Sequence, residues 1–95
     1  MRKPAISFRH FGGSGPLSVY WHPGPYGDAV EAARGSGVGW FTPTGEVLGV
    51  EFDDVTFEQD EQCLEFSNGV AVRLRVRRGK ARVQLDTRRR KPKAA

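Results

Sequence analysis

"VAVRLRVRRGKARVQLDTRRRKPK", residues 70–93, alternates apolar and cationic side chains, turns at Arg78-Gly79, resumes the alternation and ends in a run of positive charge. A period of two places alternate side chains on opposite faces of a strand. With Arg78-Gly79 as a two-residue turn, Val76 falls opposite Ala81, Leu74 opposite Val83 and Val72 opposite Leu85. Upstream, Ser67-Asn68-Gly69 reads as a three-residue hairpin loop in which Gly69 takes the left-handed conformation, so that Phe66 faces Val70 and Leu64 faces Val72. All these inward pairs are apolar in one common register, and a slip of one residue would turn every one of them outward. The agreement predicts an antiparallel meander.

The same register sets the outer face. Glu61 falls opposite Arg75, Glu65 diagonal to Arg73 and Asp86 opposite Ala71, while Arg77 opposes Lys80 and Arg75 opposes Arg82. The last two are like-charge contacts, which weaken a sheet. Two readings stand side by side: a solvated face that an acidic neighbouring strand partly neutralises, with arginine stems covering apolar surface, or a surface for an anionic partner.

The rest of the chain is cut into short pieces by 12 glycines and 6 prolines, and strands are the natural reading. Residues 5–11 and 17–22 form a first pair around a glycine-rich loop. Residues 38–41 and 47–52 flank the turn "TPTG", and 55–58, 62–66, 70–77 and 80–85 complete the meander. "DAVEAAR" at 28–34 has helix formers behind an Asp28 cap, yet seven residues before Gly-Ser-Gly allow two turns at most, so a strand and one short helix are both compatible. The expected fold is mostly β, a small antiparallel meander arranged as a sandwich or half-barrel. It occupies residues 1–86 as a single domain, with residues 87–95 as a flexible basic tail.

Charge is segregated along the chain. Residues 35–72 contain no Lys or Arg and eight carboxylates, whereas the chain from Arg73 onward holds eleven cations against Asp86. Such blocks point to internal neutralisation or to an external anionic partner. No apolar run approaches the roughly 20 residues that span a bilayer, and no signal-peptide pattern is visible; the expectation is a cytoplasmic protein without membrane contact. The single cysteine, Cys63, excludes an internal disulfide.

No catalytic constellation emerges. His10, His22 and Asp28 lack a diagnostic metal-ligand spacing, and neither a metal nor a cofactor is expected. Cys63 lies opposite Arg73, which would lower its pKa, but no histidine is paired with it. Asp53-Asp54 reads as a strand-end turn. "GGSG" at 12–15 lacks the Lys-Ser/Thr of a phosphate loop.

The stretch "GVGWFTPTGEVLGVEFDDV" at 37–55 resembles the recurring core of a small bacterial β-rich domain family of unknown function. Its members run strand, Gly-containing polar turn, a strand reading "LVGIEI", then an acidic or polar pair. "LSVYWHPGPYGDAVEA" at 17–32 occupies the place of that family's tyrosine, aspartate-rich turn and valine-glutamate segment. This chain departs from the pattern at Pro43 and at the proline-glycine turn of residues 23–27. The resemblance implies a small β fold and transfers no catalytic residue.

The functional expectation is a non-enzymatic protein that contacts the phosphate backbone of DNA or RNA. Arg73, Arg75, Arg77, Arg78, Lys80 and Arg82 of the hairpin, with Arg88, Arg89, Arg90 and Lys91 of the tail, would form one continuous cationic end. Trp21 or Tyr26 would stack on a base. The alternative is a protein-interaction module, an inhibitor or accessory factor, that docks through a sheet edge or the acidic 51–65 segment. An open strand edge would also permit homo-oligomers.

Overall fold

The C-terminal hairpins form in the register the apolar pattern dictates. In the computed structural model, which describes residues 3–23 and 28–87, strands β6 (Gln59–Glu65), β7 (Ala71–Arg77) and β8 (Lys80–Asp86) make one antiparallel sheet. Leu64 pairs with Val72, Leu74 with Val83 and Val76 with Ala81. Both turns carry the required chemistry. Phe66 donates to the Val70 carbonyl and Gly69 sits at φ 94°, while Arg78 and Gly79 sit at φ 52° and 76°, the two left-handed residues of a type I′ turn.

A second sheet faces this one. Strands β1 (Ala5–Phe8), β2 (Ser14–Tyr20), β3 (Val30–Glu31), β4 (Gly37–Phe41) and β5 (Val47–Thr56) are arranged β1-β2-β5-β4-β3, each antiparallel to its neighbours. One core takes residues from both sheets: Leu17, Val19, Val50, Phe52 and Val55 from one, Leu64, Val72, Leu74 and Val76 from the other, all at 2% exposure or less. The arrangement is an open two-sheet sandwich, and the half-barrel alternative is set aside.

Glycine decides how closely the sheets approach. The inner face of β4 presents Gly37 and Gly39, where a Cβ would lie 2.8 Å from Leu64 Cδ1 and 2.9 Å from Phe66 Cζ. The two large side chains therefore rest on bare backbone.

One open alternative closes and one expectation needs correction. Residues 28–34 form no helix. Their backbone donors are taken by strand partners: Ala32 N–H by the Gly37 carbonyl, Ala33 and Arg34 N–H by the Glu65 carbonyl, whereas a seven-residue helix would have to meet its own nucleation cost. Nor do Asp53 and Asp54 end a strand. Leu17 pairs with Phe52 and Gly15 with Val55, so Pro16 alone faces the two aspartates and β5 continues through a bulge. The extra residue sends both carboxylates to the surface and returns Val55 to the core at 0% exposure.

Asp60 ties the sheets together where β5 passes into β6. Its carboxylate accepts from Thr56 N–H (2.8 Å), Glu61 N–H (2.7 Å) and Gln62 Nε2 (3.0 Å), and Gln62 Nε2 also donates to the Asp54 carbonyl at 2.7 Å. Burial would raise its pKa, but the hydrogen bonds from Thr56, Gln62 and Glu61 together outweigh that and hold it below the ordinary carboxylate value.

Two outcomes follow for stability. Leu74→Asp, which buries an unpaired carboxylate, is expected to unfold the domain, while Arg75→Ser shifts stability by no more than about 1 kcal/mol; circular-dichroism melts decide it, and equal melting would mean the faces are reversed. Asp60→Ala is expected to cost about 1–2 kcal/mol at neutral pH. Because the folded pKa is depressed, that contribution is full above the unfolded carboxylate range and is lost as pH falls through the folded value. The gap between wild type and Asp60→Ala should close on acidification below about pH 4; a gap that stays constant would contradict the ionic role.

Candidate nucleic-acid interface

Three turns meet at one end of the molecule. The β7–β8 turn rests on the β5–β6 turn, with Arg78 N–H donating to the Glu58 carbonyl at 2.7 Å and the Phe57 ring lying where a Cβ on Gly79 would be, 2.6 Å from its Cζ. The β5–β6 turn in turn rests on the β1–β2 loop, through Phe57 N–H to the Gly13 carbonyl at 2.7 Å. Phe57 is also the centre of an aromatic cluster: His10 lies 4.1 Å from it, tilted by 30°, and Phe8 lies 5.7 Å away. Beside them Phe11 stands 80% exposed.

Cations surround this cluster. Arg9, Arg77, Arg78 and Lys80 are all exposed on the three turns or at the strand ends that enter them. Arg77 and Arg78, with Glu58 and Gln59, line a depression of about 320 Å³, room for a phosphate group and its water. Along the outer face of the three-stranded sheet, Arg73, Arg75 and Arg82 continue the positive strip. Among the described residues the ion pair is Arg75 Nε to Glu61 Oε2 at 2.9 Å. Both partners are more than half exposed there, so it contributes about 1 kcal/mol at most. Arg73, Arg77, Arg78, Lys80 and Arg82 form no ion pair with the described residues. Arg77 faces Lys80 and Arg75 faces Arg82, like charges held directly opposite.

Arg78 adds a backbone cost. It is the non-glycine residue with positive φ among the described residues, a conformation that disfavours an L side chain by roughly 1–2 kcal/mol. Asn or Gly would make the same turn more easily.

The remaining sequence candidates fall elsewhere. Trp21 is 5% exposed in the core cluster, so it offers no open ring face for a base, and the stacking role expected of it is corrected. Tyr26 and Arg88, Arg89, Arg90 and Lys91 lie outside the described residues. Thr87, at the end of β8, lies with Trp21, His22, Phe66 and Val70 around a cleft of about 1210 Å³. That is the far end of β8 from Lys80, a strand length of roughly 20 Å. The two histidines are separated in the same way, His10 on Phe57 and His22 at the cleft, and among the described residues no cluster of His, Cys, Asp or Glu has the make-up of a metal site. Cys63 is pushed up in pKa by burial and by Glu65, with Arg73 the smaller, opposing influence, so its thiol stays protonated at neutral pH.

Sequence patterning points to neither Phe11 nor Phe57, and it singles out His10 only as a candidate metal ligand. Residues 5–11 read as one strand, whereas β1 stops at Phe8 and Phe11 opens a tight turn, donating its N–H to Ser14 at 2.8 Å. The available signal is "FRHFGG", three aromatic rings and an arginine leading into a Gly-Gly turn. No family model, no curated protein and no solved structure matches the chain, and the likeness of residues 17–55 to a small β-rich family stays a likeness of pattern.

Proposed function

We propose that the protein is a non-enzymatic binder of nucleic acid that contacts the phosphate backbone through the β7–β8 hairpin. Arg77, Arg78, Lys80 and Arg82 supply the main charges, with Arg73 and Arg75 beside them. Arg88 to Lys91 add sequence-independent contacts. The observation that carries the reading is a cationic strip held in place against its own stability: two directly opposed like-charge pairs and an arginine at left-handed φ. A merely solvated face has no need of that arrangement. Phosphates separated by a few ångströms would relieve the repulsion and release condensed counterions. The competing acidic segment is partly engaged within the fold, since Ser18 Oγ donates to Glu51, Asp60 caps the β5–β6 turn and Glu61 holds Arg75.

Fluorescence anisotropy with labelled duplexes at several salt concentrations tests the reading. With about four phosphate contacts, log K should fall against log salt with a slope of roughly −0.9 per contact, and similarly for unrelated sequences. Changing Arg77, Arg78, Lys80 and Arg82 to Ser should flatten the slope, as should removal of Arg88 to Ala95. Arg78→Asn should separate the two roles of that residue: melting rises by a few degrees while affinity falls. No detectable binding at low salt to DNA or RNA, duplex or single-stranded, would sink the proposal.

A further inference from the structure

We infer that the three-turn end is a binding site for single-stranded nucleic acid in which the Phe11 ring stacks on an unpaired base while the neighbouring cations take its phosphates. This rests on the phosphate-binding reading above and adds to it a strand form and a base-contacting residue.

Phe11 is 80% exposed, so it contributes little to the core, yet its backbone is anchored. Its N–H donates to the Ser14 carbonyl at 2.8 Å, and Gly12 and Gly13 at φ 66° and 106° close the turn beneath it. The loop is anchored again where Phe57 N–H reaches Gly13. Next to it, His10, Phe57 and Phe8 form a packed aromatic group with ring separations of 4.1 to 5.7 Å. A flat ring on a backbone-anchored turn pays less ordering entropy than one on a free loop when a base lands on it.

The strand form follows from where base faces are available. In a duplex they are covered by their neighbours, and a ring at a turn tip meets only sugar and base edges. In a single strand every base has an open π-face, and stacking tolerates any sequence. Arg9 stands on the same loop, and Arg77, Arg78 and Lys80 flank the turn whose Gly79 meets the Phe57 ring, so ring and cations share one end of the molecule. Aromatic ring and cations at one tip are the two parts that non-specific single-strand binders combine.

The test uses the full chain with a fluorescein-labelled oligothymidylate of about 12 nucleotides, the matching oligouridylate, and a duplex of equal length. Phe11→Ala should weaken binding to both single strands about tenfold at fixed salt, change duplex binding by less than about twofold, and leave the salt slope unaltered because no cation is removed. Phe11→Leu should behave as Phe11→Ala, since it keeps apolar bulk without a planar face, and Phe11→Trp should retain or improve affinity. Melting of each variant should match wild type, as an exposed side chain predicts. Wild-type binding with a normal salt slope that ignores Phe11, or an equal loss on duplex and single strands, overturns this inference and leaves phosphate binding intact. Absence of binding to all three probes overturns both. Dependence on Phe11 for anionic vesicles, with none for either oligonucleotide, would overturn it in favour of a membrane surface.

Discussion

Val72, Leu74 and Val76 are sealed from water while Arg73, Arg75 and Arg77, each one residue away, stand in it. That strict alternation on β7 is the constraint on which the rest depends. β7 is the central strand of its sheet, paired on both sides, so its parity fixes the parity of β6 and β8. Three buried aliphatic side chains, each stabilising by about 1.5–3 kcal/mol, are available in only one of the two possible orientations. Like-charge repulsion across the outer face, about 0.2–1 kcal/mol per pair, is too small to reverse the choice. Apolar burial therefore dictates the arginine face; the charges ride on a decision made on the other side of the sheet.

The same asymmetry explains what the sequence made legible. The β6–β7–β8 sheet could be read because partners lie a few residues apart and each pair is apolar with a matching turn. The five-stranded sheet is held together by one long-range pairing, β2 with β5, and around it local signals mislead. Asp53-Asp54 resembles a turn because acids are depleted in strands, yet Pro16, far upstream, accommodates both residues in a bulge. "DAVEAAR" has helix formers, but carbonyls of Gly37 and Glu65 compete for its donors and win. Tertiary partners, not propensity, settled both segments.

The candidate site was half legible for a related reason. Its cations sit on one hairpin and show in the sequence as a run. Its aromatics come from the β1–β2 loop and the β5–β6 turn, brought together by the hydrogen bonds Phe57–Gly13 and Arg78–Glu58. Which aromatic stays in solvent depends on which loop covers which ring. Trp21, the larger candidate, is drawn into the core, whereas Phe11 stands 80% exposed beside a Gly-Gly turn.

β8 sets the hairpin tip at Lys80 roughly 20 Å from the end of the strand at Asp86, well beyond the Debye length of about 8 Å at physiological ionic strength. The cations of the tip therefore act on one another more than on any charge at the far end of the strand. Their repulsion is local, set by Arg77 opposite Lys80 and Arg75 opposite Arg82. It is offset on the same strands by Val76 against Ala81 and Leu74 against Val83, the apolar pairs one residue along and on the opposite face, which is why a face with opposed like charges persists in one small domain.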